Sequence, residues 1–238
     1  MTAPHFFTQS VVGDPIMLTG DDAVHAVRTL RLRPGEAVTV GDGRGAIAEG
    51  SISGTPSPDE VQVAVTARRR VPRPHPRVRV FPAVPKSGKL ELVIQKLTEI
   101  GVDAIAPWFA ERSVVRWDER KRRAHGRRLR AVAREAAKQS RRAWLPDVRD
   151  PGDRPALPSL TLVLHEGATT RLSQELPDEP PEAIGVVVGP EGGFSPGEID
   201  GLIALGARVT GLGETILRTE TAAIIGPALV LYRFLLLG

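Results

Sequence analysis

Two glycine-rich segments in the C-terminal half of the chain contain residue types that could bind a ligand and do chemistry. The first, Gly189-Pro-Glu-Gly-Gly-Phe-Ser195, follows an apolar run and surrounds Glu191 with three glycines. Because glycine has no Cβ, such a segment lets the backbone approach a ligand closely, although a tight turn with positive φ needs glycine too. The following residues, Ser195-Pro-Gly-Glu198, supply a helix N-cap, a proline in the first turn and a capping-box glutamate.

The second segment runs from residue 211 to residue 223 and reads Gly-Leu-Gly-Glu-Thr-Ile-Leu-Arg-Thr-Glu-Thr-Ala-Ala. It places Arg218, Glu220 and neighbouring threonines between apolar elements, where an uncompensated charge would be costly. We therefore predict a site here, the alternative being a structural Arg218–Glu220 ion pair with Thr219 as a helix cap. Neither segment fits the patterns G-x-x-x-x-G-K-[ST] or G-x-G-x-x-G in the required context, which disfavours nucleoside triphosphate and dinucleotide sites.

The composition excludes several other kinds of functional site. The 238 residues include no cysteine and five histidines, which excludes disulfides, thiolate zinc sites, iron–sulfur clusters and cysteine nucleophiles, and leaves little material for a metal site. The N-terminus lacks a basic region followed by an apolar run, so we expect no secretory signal and a cytoplasmic protein. The most apolar stretch, residues 221–237, is interrupted by Gly226-Pro227 and by Arg233, and predicts a buried terminal helix rather than a membrane span.

Charge is unevenly distributed along the chain. The formal net charge is only +4, yet residues 112–142 contain 13 Lys or Arg against 3 Asp or Glu, a local charge of +10. Residues 143–238 contain 6 basic and 13 acidic residues, a charge of −7, and the first 111 residues carry +1. The basic segment predicts contact with a polyanion such as RNA. In a sequence with 27 arginines and 5 lysines, the alternative is a solvated helix face.

The elements that must position these segments fall into two predicted domains. Residues 1–70 contain short apolar runs separated by turn signals, which predicts a small antiparallel β-barrel with one helix over residues 21–30. Residues 67–77 are rich in arginine and proline and predict an extended linker, with the domain boundary at residues 71–77. The strands predicted for the barrel are 37–40, 46–52 and 61–66.

Residues 78–238 alternate between strand and helix patterns, which predicts an α/β domain with a mostly parallel sheet. Ligands of such sheets bind at the carboxyl ends of the strands, where both glycine-rich segments lie. An apolar stripe over residues 90–100 predicts a helix whose polar side includes Lys89, and the basic segment predicts a helix of about 20 residues. The buried face of that basic helix would contain Leu129, Val132, Ala133 and Ala136. Strands are predicted at 77–83, 102–106, 160–164, 184–188 and 207–210.

The two glycine-rich segments, Gly189 to Ser195 and Leu212-Gly-Glu-Thr-Ile-Leu-Arg-Thr-Glu-Thr-Ala222, resemble the RsmE family, the 16S rRNA (uridine-N3) methyltransferases of the SPOUT superfamily. Residues 86–101, 111–114 and 136–141 fit the same family in the same order. The predicted barrel matches through His25-Ala-Val-Arg-Thr-Leu-Arg31 and Gly41-Asp-Gly43, while His5 stands where we expect arginine. The resemblance spans nearly the whole chain.

This resemblance implies a PUA-like N-terminal barrel and a SPOUT domain whose C-terminal end forms a deep trefoil knot. It also implies a homodimer with an active site completed across the interface, and S-adenosylmethionine (SAM) as the methyl donor bound in the knot. The cofactor-binding residues would be Leu164, His165, Glu166, Gly167, Val188, Gly189, Glu191, Gly192, Gly193, Leu212, Gly213, Ile216, Leu217, Thr219 and Thr221.

Methyl transfer from a sulfonium is an in-line displacement that needs no metal, so positioning supplies much of the acceleration. Uridine N3 carries a proton. Either a base must remove this proton, or other groups must stabilise the negative charge that develops on the uracil. We expect Arg218 to stabilise the charge on the uracil and Glu191 or Glu220 to accept the proton, two roles that the sequence does not separate.

The expected partner is 16S rRNA within the assembled or nearly assembled small subunit. Aromatic residues make up only 4% of the chain, so phosphate contacts and RNA shape should dominate recognition. The alternative to RNA binding by residues 139–141 is a structural role, in which their polar side chains satisfy the C-terminus of the predicted helix. The residues predicted to bind RNA are Arg28, Arg31, Arg33, Arg112, Arg116, Gln139, Ser140, Arg141 and Arg142.

Two other function classes stay open at this point. A non-catalytic RNA-binding assembly factor would keep the basic segment without needing the two glycine-rich segments. A SPOUT enzyme that modifies another RNA or base would bind SAM equally well and differ only in its product.

Overall fold

The computed structural model describes residues 3–86, 88–153 and 156–237. Predictions that include Met1, Thr2, Ser87, Arg154, Pro155 or Gly238 lie outside the described residues at those positions. The chain divides into two compact units. The first unit combines the first 73 residues with Ala137–Leu145, and the second combines Pro74–Ala136 with the remainder of the chain from Pro146.

The first unit is built on a five-stranded sheet in the order β1-β3-β4-β5-β2. Its pairs are antiparallel except for β1 and β3, which are parallel. A short helix α1 (Asp21–Val24) continues as a π-helical stretch, His25–Thr29, at the position of the predicted helix 21–30. Phe6, Leu18 and Val40 are fully buried in the core of this unit. The strands are β1 (His5–Phe7), β2 (Ile16–Thr19), β3 (Ala37–Gly41), β4 (Ala46–Ser57) and β5 (Glu60–Arg70).

Two features of the first unit differ from the sequence prediction. Strand β5 runs to Arg70, which pairs with Ala46 of β4, so residues 67–70 belong to the sheet and not to an extended linker. Their ladder hydrogen bonds with β4 outweigh the polar composition, because the prolines that interrupt pairing begin only at Pro72. Strand β1 was not predicted, and its His5 is buried, which lowers the pKa of the imidazole to about 4.

The segment Ala137–Leu145 is distant in sequence from the rest of the first unit but packs with it. The Lys138 ammonium lies 2.9 Å from the Asp22 carboxylate, and their side chains are only 9% and 5% exposed. The Trp144 indole N–H donates to the carbonyl of Val71 over 3.1 Å. These contacts link the end of a helix that begins in the second unit to the N-terminal sheet.

The second unit contains a six-stranded sheet in the order β11-β9-β10-β6-β7-β8, and all of its strand pairs are parallel. The sequence prediction of a mostly parallel sheet is therefore confirmed. Its strands are β6 (Arg77–Pro82), β7 (Ala104–Ile105), β8 (Asp147–Val148), β9 (Leu160–Leu164), β10 (Ala183–Val188) and β11 (Arg208–Thr210). Its helices are α2 (Leu90–Glu99), α3 (Glu119–Gln139), α4 (Leu172–Glu175), α5 (Pro196–Ala204) and α6 (Thr219–Arg233).

Both faces of this sheet are covered, which explains why its central strands are continuous apolar runs. Ile184 and Val186 of β10 belong to the core shared with α2, α3 and α6, whereas Val187 points into the core shared with α5. Helix α6 approaches β9 closely at Gly226, where a Cβ would lie 2.5 Å from a methyl group of Leu164. Among the described helices, none combines the length and apolar character needed to cross a membrane.

The carboxyl ends of β9, β10 and β11 are neighbours because these three strands are adjacent and parallel. The chain leaves them in three loops that begin at residues 165, 189 and 211. Two of these loops are the glycine-rich segments. The sheet topology thus brings together residues that are up to about 50 positions apart in the sequence, at the edge where ligands of parallel sheets bind.

Removal of the Asp22 carboxylate should destabilise the first unit. Asp22→Ala removes the carboxylate that lies 2.9 Å from the buried Lys138 ammonium, and breaking a buried pair in this way costs about 3 to 5 kcal/mol. Urea unfolding followed by circular dichroism and tryptophan fluorescence measures the change in the free energy of unfolding.

Glu119→Ala on the same helix is the matched control. It breaks the Glu119–Arg123 pair, whose side chains are 67% and 66% exposed, and should cost less than about 1 kcal/mol. Equal losses in the two variants would contradict the importance of the buried pair.

Candidate functional site

A cleft of about 440 Å³ opens at the carboxyl ends of β9 and β10. Leu164 and Val188 are the last residues of these two strands and form its floor. Both glycine-rich segments contribute to the walls, as does the residue that precedes α2. The cleft is lined by Lys89, Leu164, Glu166, Val188, Gly189, Pro190, Glu191, Gly193, Phe194, Ile216, Leu217, Arg218, Thr219, Glu220 and Ala222.

The shape of the 189–195 loop depends on its glycines and on the helix that follows. A Cβ on Gly189 would lie 2.9 Å from the ring of Phe194, which is 5% exposed and stacks on Trp108 at a centroid distance of 6.2 Å. Gly193 has a φ of 68°, in the left-handed region. The loop ends in the predicted capping box, because Ser195 Oγ accepts from the Glu198 N–H and the Glu198 carboxylate accepts from the Ser195 N–H. Gly193 therefore permits the turn, and Gly189 permits the close approach of the backbone to Phe194.

A second, smaller recess of about 60 Å³ adjoins the cleft. It shares Leu164, Glu166 and Leu217 with the cleft and adds residues of the β9 and β11 loops. Ile216 stands at the mouth of the cleft with 81% of its surface exposed. The recess is lined by Leu164, His165, Glu166, Leu212, Gly213, Thr215, Leu217 and Ala222.

The charged groups of the cleft do not form the structural Arg218–Glu220 pair that the sequence left open as an alternative to a site. Glu220 accepts a hydrogen bond from the Lys89 ammonium, and this contact lowers the pKa of the Glu220 carboxyl. The alternative of an Arg218–Glu220 structural pair is therefore wrong. Arg218 occupies the N-cap position of α6 with an extended backbone and no capping hydrogen bond, which also rules out the Thr219 cap.

The guanidinium of Arg218 makes no hydrogen bond or salt bridge with any described residue, so it is available to a ligand. The Glu191 carboxylate accepts from the backbone N–H of Lys86, at 3.1 and 3.3 Å to its two oxygens. In the described parts of the chain, no three His, Asp or Glu side chains lie close enough together to hold a metal ion.

Most residues predicted to bind the cofactor line the cleft or the recess. Gly167, Gly192 and Thr221 line neither of them. The Gly167 N–H donates to the imidazole of His165 over 3.0 Å, and Gly192 contacts Arg112.

Sequence reasoning missed Lys89, Pro190, Phe194, Thr215 and Ala222. The sequence prediction put Lys89 on the solvent side of its helix. Lys89 is the N-cap residue and has no helical dihedrals, so the helical periodicity of the sequence does not determine where its side chain points. Phe194 had a signal, since a bulky aromatic residue follows two glycines in the first segment.

The residues predicted to bind RNA are divided between the two units. Arg112 and Arg116 are exposed and belong to the loop that follows β7 in the second unit. Their guanidinium groups donate to the carbonyls of Gly192 at 2.9 Å and of Ala110 at 3.1 Å. Gln139, Ser140, Arg141 and Arg142 belong to the first unit, as do the exposed Arg28, Arg31 and Arg33.

Backbone hydrogen bonds close the C-terminus of α3. The N–H of Arg142 donates to the carbonyl of Ala137 at 2.9 Å, and the N–H of Arg141 donates to that of Lys138 at 3.2 Å. Arg141 adopts a φ of 55°, so residues 137–142 form a Schellman motif with arginine where glycine is usual. Arg31 also has a φ of 55° after a helix end.

Comparison with known proteins decides the family. A model described as an RNA methyltransferase domain matches residues 72–230, and one described as an RNA methyltransferase PUA domain matches residues 18–66. Ribosomal RNA small subunit methyltransferase E of Mycobacterium bovis is 38% identical, with 94% of this chain and 90% of the relative covered. This chain belongs to the ribosomal RNA small subunit methyltransferase E family. The resemblance carried by the two glycine-rich segments is confirmed.

A second relative and a solved structure agree with this assignment. The protein of that name from Bacillus subtilis is 31% identical, with 91% of this chain and 89% of the relative covered. A Legionella pneumophila protein described as a methyltransferase and solved with SAM shares 27% identity and a TM-score of 0.86, with 98% of both chains covered. The parallel-sheet α/β fold with an N-terminal PUA-like domain is thereby confirmed. The trefoil knot stays a prediction.

A side chain at position 189 should distort the loop. Gly189→Ala places a methyl group against the buried ring of Phe194, and overpacking of this kind costs about 1 to 3 kcal/mol. We expect a lower free energy of unfolding and a changed near-ultraviolet circular dichroism signal from the Trp108–Phe194 stack.

Gly197→Ala is the matched control in the same region. Its Cβ would meet no atom closer than 4.0 Å, and alanine is a better helix former than glycine, so this variant should be as stable as the wild type or more so. If Gly189→Ala behaved like Gly197→Ala, the close approach to Phe194 would not determine the loop.

Proposed function

We propose that this protein transfers a methyl group from SAM to N3 of a uridine in 16S rRNA, near the decoding region of the small ribosomal subunit. The observation that carries the proposal is the cleft formed by both glycine-rich segments at the carboxyl ends of β9 and β10, with the free guanidinium of Arg218 in its wall. Membership of the methyltransferase E family and the SAM-bound Legionella pneumophila structure support it. Work on the ribosome implies a cytoplasmic protein.

The residues present fit SAM. Leu164, Val188 and Leu217 offer apolar surface to a flat base, and Glu166 offers a carboxylate to hydroxyl or ammonium groups. The absence of a side chain at Gly189 leaves room beside the backbone, where a Cβ would clash with Phe194. A cleft of about 440 Å³ lies within the range of ligand sites that accommodate a cofactor of this kind.

When bound, SAM supplies a methyl group on a positively charged sulfonium, which is an electrophile without help from a metal. The chain must then orient the uracil and stabilise the negative charge that develops when N3 loses its proton. Arg218 suits this role because its guanidinium has no other partner among the described residues. It also sits at the N-terminus of α6, where the helix dipole adds positive potential.

Glu191 and Glu220, two of the three glutamates that line the cleft, are unequal as proton acceptors. The hydrogen bond from Lys89 lowers the pKa of Glu220 and so makes its carboxylate a weaker base. Glu191 is held by a backbone N–H and forms no salt bridge with a described residue. We therefore assign Glu191 as the proton acceptor, and we assign Glu220 the role of positioning Lys89.

Exposed arginines in each of the two units would bind RNA. Arg28 lies in the π-helical stretch of the N-terminal unit, and Arg31 and Arg33 follow it. Arg141 extends from the Schellman motif at the end of α3. Arg112 and Arg116 flank the cleft loop in the second unit. Guanidinium groups bind phosphate oxygens through paired hydrogen bonds, which suits recognition of the shape of folded rRNA.

A homodimer would cover an apolar groove of about 670 Å³ beside α6. Leu229, Tyr232 and Leu235 in this groove are 43%, 63% and 90% exposed. The groove also includes Leu212 and Gly213, which line the recess next to the cleft. A second copy seated on it would therefore touch a loop of the site itself, as expected for an active site completed across a dimer interface.

The most informative test of the reaction is nucleoside mass mapping of 16S rRNA from a strain that lacks the gene. We expect loss of one N3-methyluridine and its restoration by the purified protein with SAM. If no N3-methyluridine disappeared while the protein bound SAM, the substrate would be another RNA or base. If calorimetry detected no SAM binding, a non-catalytic assembly factor would replace the enzyme.

Removal of the guanidinium at position 218 should slow the chemical step. Arg218→Ala deletes a donor aimed at developing charge, and such deletions lower kcat by about 100- to 1000-fold. The dissociation constant for SAM should change little, because the effect is confined to the transition state. Single-turnover methylation of small subunits and calorimetry measure the two quantities.

Arg208→Ala is the matched control for this measurement. Arg208 pairs with Glu175 on the surface and lines neither the cleft nor the recess, so its removal should leave kcat unchanged. Wild-type kcat in Arg218→Ala would eliminate the role assigned to Arg218.

A charge in the apolar groove should prevent dimer formation. Leu229→Glu buries a carboxylate in the proposed interface, which is unfavourable without a partner, so light scattering should report a monomer where the wild type is a dimer. Leu92→Glu is the matched control, because Leu92 is equally exposed at 43% but lies on α2 outside the groove. A wild-type monomer, or a dimer in Leu229→Glu, would contradict the interface.

A further inference from the structure

One buried carboxylate joins the loop that carries Arg112 and Arg116 to the glycine-rich loop of the cleft. Glu198 is 8% exposed and lies in the first turn of α5. Its Oε2 accepts from the backbone N–H of Ser195 at 2.8 Å, and its Oε1 accepts from the backbone N–H of Glu111, also at 2.8 Å. The second contact spans 87 positions of the chain.

A helix cap alone does not account for this arrangement. The capping box of α5 requires only the Ser195 contact, and one oxygen of the carboxylate would then be free. Burial of a carboxylate is costly unless both oxygens receive hydrogen bonds. Here the second hydrogen bond comes from a different loop, so the geometry that caps the helix also fixes the position of Glu111.

The Glu111 loop is itself compact and makes a second contact with the cleft loop. The N–H of Ala110 donates to Ser113 Oγ, and the Arg116 guanidinium donates to the Ala110 carbonyl, both over 3.1 Å. The Arg112 guanidinium donates to the carbonyl of Gly192 over 2.9 Å. Movement of this loop is therefore transmitted to residues 191–195 through two independent contacts.

We propose that Glu198 is a positioning residue that couples occupancy of the Arg112 loop by RNA to occupancy of the cleft by SAM, an inference that rests on the proposed function. Glu198 touches neither ligand, and its carboxylate holds the two loops in one arrangement. Because such coupling is reciprocal, each ligand must raise the affinity for the other by the same factor. For a coupling of ordinary strength this factor is about five or more.

The test compares Glu198→Gln with the wild type. The glutamine oxygen can accept one of the two backbone N–H groups, while its NH₂ group repels the other, so one contact is lost. Calorimetry with S-adenosylhomocysteine, which permits no turnover, gives the dissociation constant with and without small-subunit RNA. We expect a coupling factor of about five or more in the wild type and a smaller factor in the variant, where only the Arg112–Gly192 contact still joins the loops, with RNA-free affinity changed less than about threefold.

Ser195→Ala is the matched control. It removes the hydrogen bond from the Glu198 N–H to the Ser195 side chain but leaves both contacts of the Glu198 carboxylate. A purely structural role of Glu198 would lower the melting temperature in both variants and leave the coupling factor intact in both. An intact factor in Glu198→Gln, or a factor of one in the wild type, overturns the proposal.

Hydrogen exchange separates this proposal from the function on which it rests. Without any ligand, peptides covering residues 110–116 should exchange faster in Glu198→Gln than in the wild type, and Ser195→Ala should affect only the start of α5. Unchanged exchange in residues 110–116 overturns the proposed link even if SAM binds. Failure of the wild type to bind S-adenosylhomocysteine refutes the proposed function instead, while the exchange result still decides whether Glu198 links the loops.

Discussion

Parallel pairing of β9 with β10 and β11 is the constraint on which the rest of the second unit depends. Strands buried on both faces need apolar residues at every position, which leaves their carboxyl ends as the first places where polar chemistry can appear. The same pairing fixes the spacing of the three loops that follow. Close contact of α6 with β9 at Gly226 then places the start of that helix, and with it Arg218, at the edge of the cleft.

The charged groups of the cleft differ in whether they have hydrogen-bond or salt-bridge partners. Lys89 pairs with Glu220 and keeps it ionised, and a backbone N–H orients Glu191. Glu198, which does not line the cleft, accepts two backbone N–H groups. Arg218 is left without a partner among the described residues. The proposed methyl transfer to uridine N3 would use this asymmetry, with the Arg218 guanidinium free and the Glu191 and Glu220 carboxylates each held by a separate contact.

Local patterns in the sequence predicted much of the fold and of the site. The continuous apolar runs fixed β9 and β10, and the capping box fixed the start of α5, because these signals depend on neighbouring residues. Contacts between distant residues were not predictable: the Lys138–Asp22 pair and the Lys89–Glu220 pair each join positions more than 100 residues apart. Strand β5 extended through three arginines because its partner strand, rather than its own composition, sustained the ladder.

The non-contiguous first unit has a consequence for synthesis of the chain. Residues 137–145 complete this unit, so the N-terminal sheet reaches its final packing only after residue 145 has left the ribosome. At about 5 to 20 residues per second, several seconds pass between the synthesis of β5 and the synthesis of residues 137–145. During that interval Pro74–Ala136 of the second unit is already being made, so the first unit cannot finish folding before part of the second unit has been translated.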